Sequence, residues 1–439
     1  MNKMMQTTEI EDRPVRPHGS GAGQTGCPSE DPSCPHVLLL TQFFPPGMAG
    51  AQRVGYMAAA LCRMFTPTVV TLKPSYPTPE AFRDRPSDDW KFPFKIIRTV
   101  QFYPHRGGMV LRAFREISMA IYLGIKARKQ RPMVVISSSP SMYLGPVGHI
   151  VARLKRALFV WDIRDLTWQY AEQQTRGFTK RLLCKAQSAC MFRCARRADL
   201  VTCANEGIAT VLAQRGVPQE KLLVIPNGVS PEFIAGMQGI AQQSAHNNEP
   251  VVSYIGLLGL NQGLRTLLDV AIRLPRVSFV LVGDGPQRAA LEREAQDRNL
   301  RNITFRGYLA GDDLYRAYQR SDILFAQVRD LPVLADAMWS AKLYEYMGAS
   351  RPIIFAGKGP AADDLTKTGA GVVVPPENAE AIAAAIELLL KDRTAMVSMG
   401  RRGFAHVIEH CRRDHLMAAL PQELTRRLTS RRYPGRLGQ

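Results

Sequence analysis

Residues 36–64, HVLLLTQFFPPGMAGAQRVGYMAAALCRM, contain one strand, one turn and one helix, and their reading decides the fold class. The run His36–Gln42 is apolar without alternation, as a strand buried on both faces is. Pro45, Pro46 and Gly47 then break the chain, and a helical pattern runs from Ala51 to Met64. The same rhythm returns at TVVTL (68–72), MVVISS (133–138), LFVWDI (158–163), LVTCA (200–204) and LLVIP (222–226). It lapses over residues 231–249, which are small, polar and rich in Gln and Asn, and restarts at VVSYIG (251–256). VSFVLVG (277–283), ITFRG (303–307), DILFA (322–326), PIIFA (352–356) and GVVVP (371–375) complete a second series, closed by a helix over 378–392. Strands alternating with helices predict βαβ units, and hence two doubly wound α/β domains with parallel sheets. The expected division is a disordered tail at 1–35, a first domain at 36–230, a linker at 231–249, a second domain at 250–410, and a helix with a basic, fraying tail at 411–439.

At 439 residues, with 46% hydrophobic and 22% charged side chains, the chain is globular and too long for one ordinary core. Its net charge of +19 is uneven. Residues 1–230 hold 31 basic against 16 acidic side chains, and residues 91–200 alone carry +16. A basic first half suits an anionic partner, whether a membrane surface, a phosphorylated substrate or nucleic acid; a merely soluble basic surface is the plainer alternative. The eight cysteines include no C-x-x-C pair, so reduced thiols in a cytoplasmic protein are expected. No secretory signal and no spanning run of roughly 20 apolar residues stands out, so any membrane contact is expected to be peripheral. The stretches 109–130 and 179–198 mix apolar residues with Lys and Arg. They fit interfacial helices, or equally sheet-covering helices with a basic outer face.

Doubly wound sheets bind ligands beyond the carboxyl ends of their strands, so the strand-end turns hold the candidates. Gly47, Ala49 and Gly50 lie between the first strand and its helix, where free N–H groups and the helix dipole favour an anion, although many such turns bind nothing. Asp162, Arg164, Asp165 and Trp168 crowd the end of LFVWDI, either as a cleft constellation or as a surface salt-bridge cluster with an aromatic lid. Asn227–Gly228 is a turn dipeptide between the domains. YIGLLGLNQGLRTLL (254–268) is a glycine-bearing turn that includes Gly256 and Gln262, with Arg265 in the following helix. Gly283, Asp284 and Gly285 form a G-x-G that lacks the fuller dinucleotide fingerprint, so a tight turn with an Asp cap explains it as well as a nucleotide does. Lys342 and Glu345 in KLYEYMGASRPII (342–354) are three apart and share a helical face at the mouth of a strand.

Five of these stretches, in order, resemble motifs of the family 4 glycosyltransferases, two Rossmann-like domains facing across a cleft in the GT-B fold. They are TQFFPPGMAGAQRVG, IRDLTW, GVPQEKLLVIPNGVSPEFI, LVGDGPQRAALE and KLYEYMGASRPII, and the resemblance runs from about residue 36 to about 410. IRDLTW and the form L-G-x-x-Q-G-L point to a branch that builds bacterial O-antigens and capsules, similar to N-acetylfucosamine transferases. The chain departs from the family pattern at Ser230, where aspartate is usual, at Gln262, where lysine is usual, and at Ala337, the place of the first of two glutamates. The resemblance implies a retaining transfer from a nucleotide-diphosphate sugar, with no metal or other cofactor required. It implies an acceptor such as a polyprenyl-diphosphate-linked glycan, held by the first domain at the inner face of the membrane. Lys342 would then face the β-phosphate, with Arg329 or Arg265 as partner, since cations aimed at developing charge are usually the largest catalytic term. Glu345 would accept from the ribose hydroxyls, Tyr308 would flank the base, and Gly50, Gly256, Gln262, Gly283, Asp284 and Gly285 would line the donor site. Asp165 would orient or deprotonate the acceptor.

Two other classes compete. A sugar-nucleotide 2-epimerase shares the fold but needs its own carboxylate and histidine set, which these residues do not assemble. A non-enzymatic basic binding protein fits the charge, yet no nucleic-acid motif accompanies it, and nucleic acid is not an expected partner. The sequence also lacks Asp-x-Asp, H-E-x-x-H, a G-x-x-x-x-G-K-[ST] loop and G-x-S-x-G.

Overall fold

The computed structural model describes residues 34–45, 49–74, 92–99, 109–175, 177–238, 249–331, 334 and 342–432. Seven strands form the first sheet: β1 (His36–Thr41), β2 (Thr66–Leu72), β3 (Lys95–Thr99), β4 (Val134–Ser138), β5 (Leu158–Ile163), β6 (Leu200–Cys203) and β7 (Leu222–Val224). Their order is β3-β2-β1-β4-β5-β6-β7, with every pair parallel. Six more form the second: β8 (Val251–Ile255), β9 (Ser278–Val282), β10 (Ile303–Gly307), β11 (Ile323–Gln327), β12 (Ile353–Ala356) and β13 (Gly371–Val374). Their order, β10-β9-β8-β11-β12-β13, is again wholly parallel. The expected pair of doubly wound sheets is present.

The uninterrupted apolar strands follow from this arrangement. β1 and β5 are buried at nearly every position because helices cover both faces of their sheet. The order reverses between β1 and β4 in the first sheet and between β8 and β11 in the second, the switch points where such sheets open a crevice for ligands.

Three elements differ from the sequence reading. Strand β3 is absent from it, because KIIRT is an edge strand with an exposed Lys95 and only partial burial, so it lacks the apolar run of an inner strand. Residues Pro231–Gln238, expected as linker, form a helix. Phe233, Ile234 and Met237 are buried in it, and the Phe233 ring meets Tyr315 and Tyr318 edge-on at 5.7 and 5.3 Å. Residues 239–248 of that stretch, and 1–33 of the expected tail, lie outside the described residues. The basic end is also ordered in part: the helix Ala419–Arg432 returns to the first sheet. There Met417, Leu420 and Leu424 are fully buried with Val54, Met57 and Leu61 of the helix Ala49–Leu61. Burying side chains of this kind stabilises by about 1.5–3 kcal/mol each.

The chain therefore crosses between the sheets twice, and the crossings are bonded to one another. Val229 N–H donates to Cys411 O at 2.9 Å, and Arg413 N–H donates to Val229 O at 2.9 Å. Gly228 makes this approach possible: its φ is +57°, and a Cβ there would stand 2.5 Å from Cys411 O.

Candidate active site

The carboxyl ends of β8, β9 and β10 and the helix Lys342–Gly348 enclose a cavity of about 410 Å³. Gly256, Gly283, Asp284, Tyr308, Lys342 and Glu345 all line it. These are six of the residues that the sequence points to, brought together from three strand-end turns and one helix. Gln262, Gly285 and Asp165 are not part of its wall.

The helix Lys342–Gly348 is anchored through Tyr346. Its buried hydroxyl accepts from Ile255 N–H at 2.8 Å and donates to Ile255 O at 3.1 Å, bracketing the last residue of β8. That pin sets Lys342 and Glu345 beside the strand-end turn. The Lys342 chain lies on the bare backbone of Gly256, where a Cβ would come within 2.1 Å of its Cε. Its ammonium sits 4.8 Å from the centroid of the Tyr254 ring, a cation–π placement. Burial pushes the Lys342 ammonium down to about 8, while the charge of Glu345 pulls the other way. Glu345 accepts a hydrogen bond from the Tyr318 hydroxyl at 3.2 Å. Burial raises its carboxyl; Arg413, then Tyr318, then Lys342 oppose the rise.

The G-x-G turn is explained by packing. Gly283 and Gly285 adopt φ of +134° and +155°, and a Cβ on either would strike the carbonyl of Gly256 or of Leu258. Gly256 N–H donates to Val282 O and Leu258 N–H to Asp284 O, so the β8–β9 pairing continues into the two turns. The glycines bring backbone against backbone, and Gly256, Gly283 and Asp284 reach the cavity wall as a result.

Gln262 belongs to the turn after β8 rather than to the cavity, and its carbonyl accepts from Gln327 Nε2 at 3.1 Å. Arg265 does not face the cavity: it is exposed and paired with Glu294 at 2.7 Å. Arg329 is likewise engaged, with Glu377 at 3.3 Å. Both are partners of Lys342 that the family resemblance suggests, and each is paired here with a carboxylate on a neighbouring surface element. Ala337 lies outside the described residues.

The first-sheet constellation separates into parts with different tasks. Asp162 is fully buried and pairs with Arg53 at 2.9 Å, while the hydroxyls of Ser138 and Thr202 each donate to it at 2.7 Å. Arg53 in turn donates to Ile225 O and Pro226 O in the first crossing. With these partners the Asp162 carboxyl is held below the usual range despite its burial. Trp168 is no lid: it is buried and stacked on Trp161 at 5.5 Å, because the helix Thr167–Gln174 turns it back into the core. Asp165 has one carboxylate oxygen with no hydrogen-bond partner, and burial raises its carboxyl against the opposing charge of Arg164.

Sequence reasoning missed Arg413, Gln52, Tyr315 and Tyr318, which also line the cavity. Arg413 arrives with the second crossing and Gln52 with the first helix, so no local motif joins them to Lys342. Tyr170 adds a further link between the halves, its hydroxyl donating to Asn261 Oδ1 at 2.7 Å. Among the described residues, no group of three or more His, Cys, Asp or Glu is arranged to hold a metal, and no helix is long and apolar enough to cross a membrane.

Comparison with known proteins gives this cavity a context. Residues 49–228 match the glycosyl transferase 4-like domain and residues 238–406 the glycosyl transferases group 1. The chain is 29% identical over 221 residues, 48% of its length, to O-antigen chain mannosyltransferase C of Escherichia coli, spanning 57% of that protein. It is 26% identical over 325 residues, 69% of its length, to the putative colanic acid biosynthesis glycosyl transferase WcaI of Escherichia coli strain K12, spanning 76% of it. The first of these matches thus spans little more than half of the curated relative. The structure of Anabaena HepE in complex with UDP-glucose superposes with a TM-score of 0.64 at 19% identity, covering 90% of this chain and all of that one, and shares the two-domain GT-B fold. The two halves, each matched by a glycosyltransferase model and together walling the cavity of Lys342 and Glu345, show that the chain belongs to the glycosyltransferases.

Proposed function

We propose that this protein transfers a sugar from a nucleoside-diphosphate sugar to a lipid-linked glycan in the assembly of a surface polysaccharide. The observation that carries the reading is the pairing of Lys342 and Glu345 in the cavity at the carboxyl edge of the second sheet. An ammonium and a carboxylate side by side suit the two ends of one ligand fragment, a diphosphate and a ribose. Lys342 faces the β-phosphate, where charge grows as the anomeric C–O bond breaks and its electron pair leaves with the nucleoside diphosphate. Glu345 accepts from the ribose hydroxyls, and Tyr308 flanks the base. In a retaining, front-face transfer the acceptor oxygen bonds from the side the phosphate leaves, and its proton passes to the departing phosphate oxygen. Asp165 orients that acceptor hydroxyl. The chemistry proposed needs no metal. The names of the relatives in O-antigen and colanic acid synthesis support a polysaccharide acceptor, and the N-acetylfucosamine branch is our proposal for the sugar.

A surface of the first half supports an acceptor at a cytoplasmic membrane face. The helices Met109–Lys126, Leu144–Lys155 and Phe178–Arg197 pack side by side on the first sheet. Ile121, Ile125, Leu154, Phe178 and Leu182 project from them into solvent, with Leu154 78% and Phe178 83% exposed. Exposed Lys126, Arg153, Lys180 and Lys185 stand among them. Apolar side chains ringed by cations suit an interface rich in anionic lipid.

A thermal-shift screen of UDP-, GDP- and dTDP-sugars tests the donor: the true donor raises the melting temperature, and no shift with any of them overturns the reading. Conversion of UDP-N-acetylglucosamine alone into its 2-epimer would replace the transferase by an isomerase. Co-sedimentation with phosphatidylglycerol vesicles tests the surface. Phe178→Asp with Leu182→Asp should release the protein, and unchanged binding removes this face from consideration.

A further inference from the structure

Arg413 is almost wholly buried, at 3% exposure, yet it reaches the cavity wall together with Glu345. Its guanidinium spends three donors on the first half of the molecule and its crossing. Nε donates to Asn227 O at 2.8 Å, Nη2 to Gly228 O at 3.0 Å and Nη1 to Gln52 Oε1 at 3.1 Å. Its plane lies 5.4 Å from the Tyr56 ring centroid. A lysine has neither the fork nor the flat face for this set of contacts. The same charge answers Glu345, which belongs to the other half. Arg413 is thus a cation carried by the second crossing and bonded to the first at the point where they meet.

We propose that Arg413 is a positioning residue for the donor, which holds Glu345 in place towards the ribose only while the two halves keep the setting fixed by Asn227, Gly228 and Gln52. This rests on the reading of Glu345 as a ribose contact. The electrostatics agree with the geometry. Glu345 is faced by Lys342 and Tyr346 from its own helix, by Tyr315 and Tyr318 from the helix Gly311–Gln319, and by Arg413 from the second crossing. Arg413 is the largest of the influences that hold its carboxyl down, ahead of Lys342. Arg413 itself is faced by Glu345, Tyr56, Arg53 and Glu232. Loss of Arg413 therefore leaves a half-buried carboxylate short of its main counter-charge, and Glu345 takes up a proton at a higher pH than before. A protonated Glu345 is a poorer acceptor, so donor affinity also falls as the pH is lowered.

The test is calorimetry with whichever of UDP, GDP and dTDP most raises the melting temperature, at pH 6 and pH 8. The variants are Arg413→Gln, Arg413→Lys and Glu345→Gln. Arg413→Gln should lose at least threefold more affinity than the wild type does between pH 8 and pH 6. Glu345→Gln added to Arg413→Gln should abolish that excess loss at pH 6. Equal weakening at both pH values means that Arg413 only holds the fold, and overturns the proposal. If Arg413→Gln does not fold, Arg413→Lys and Glu345→Gln form a cycle. Coupling of threefold or more in affinity supports the link, and strict additivity overturns it. Should Glu345→Gln alone leave binding unchanged, the ribose reading of Glu345 fails. If it weakens binding but no excess loss at pH 6 appears in Arg413→Gln, the role of Arg413 alone fails.

Discussion

Asp162 is a buried carboxylate and Glu345 a half-buried one, each facing an arginine from another part of the chain, and their surroundings give them opposite characters. Asp162 has a guanidinium at 2.9 Å and two hydroxyl donors, so its charge is matched on every side and its carboxyl is held low. Glu345 has one hydroxyl at 3.2 Å and more distant cations, so burial wins and its carboxyl is raised. The first is closed off in the core, whereas the second opens on a cavity of about 410 Å³. A carboxylate whose partners all come from the protein holds the fold together, and one left short of partners is available to a ligand.

Removing each charge tests that contrast, beginning with the largest effect. Asp162→Ala leaves Arg53 buried without its counter-ion, and chemical denaturation should show a loss of about 3–5 kcal/mol. A loss below about 1 kcal/mol would mean that the pair is not the structural one. Lys342→Ala should leave the fold intact and lower kcat by ~10²–10³-fold, the size of losing one donor to a developing oxyanion. Lys342→Met should also raise the melting temperature of the unliganded protein, because a half-buried ammonium no longer has to be desolvated. A fall would put Lys342 on the structural side, beside Asp162.

Glu345→Gln keeps shape and volume but weakens the acceptor. Calorimetry should show nucleoside-diphosphate affinity falling about tenfold, the loss of one charge-assisted hydrogen bond, with stability unchanged or raised. The smallest effect is that of pH. The Lys342 ammonium titrates at about 8 in the unliganded protein, and an anionic diphosphate prefers it protonated. Donor affinity is therefore full well below pH 8 and declines through it, by about threefold between pH 7.5 and 8.5. The stability sign is the reverse. A folded-state lysine below its unfolded value destabilises at low pH, so the unliganded protein should gain stability as pH rises from 8 towards 10.

Much of the frame around these two carboxylates is legible in the sequence. The strand runs that end at Ile163 and Ala356 match their observed limits within a residue or two, because burial on both faces leaves no polar position to interrupt them. Edge strand β3 escapes such a reading, since its exposed side carries charge like a loop. Lys342 and Glu345 stand out through spacing and motif, and the turns of Gly256, Gly283 and Tyr308 do meet them in one cavity. Arg265 and Arg329, suggested by the resemblance, are paired with Glu294 and Glu377, carboxylates that a motif does not name. Asp162 and Asp165 look alike three residues apart, yet one is the core's ion pair and the other keeps an unpartnered oxygen.

By itself the sequence determined the order of strands and helices, the two parallel sheets and the shared helical face of Lys342 with Glu345. These follow from backbone periodicity and the i, i+3 neighbourhood, which are local. Only the tertiary structure decided which charges are matched and which are exposed to a ligand. That depends on Arg53 reaching β5 and on Arg413 returning with the last crossing to meet Asn227, Gly228 and Gln52. Electrostatic environment is a sum over groups distant in the chain, so no stretch read alone contains it.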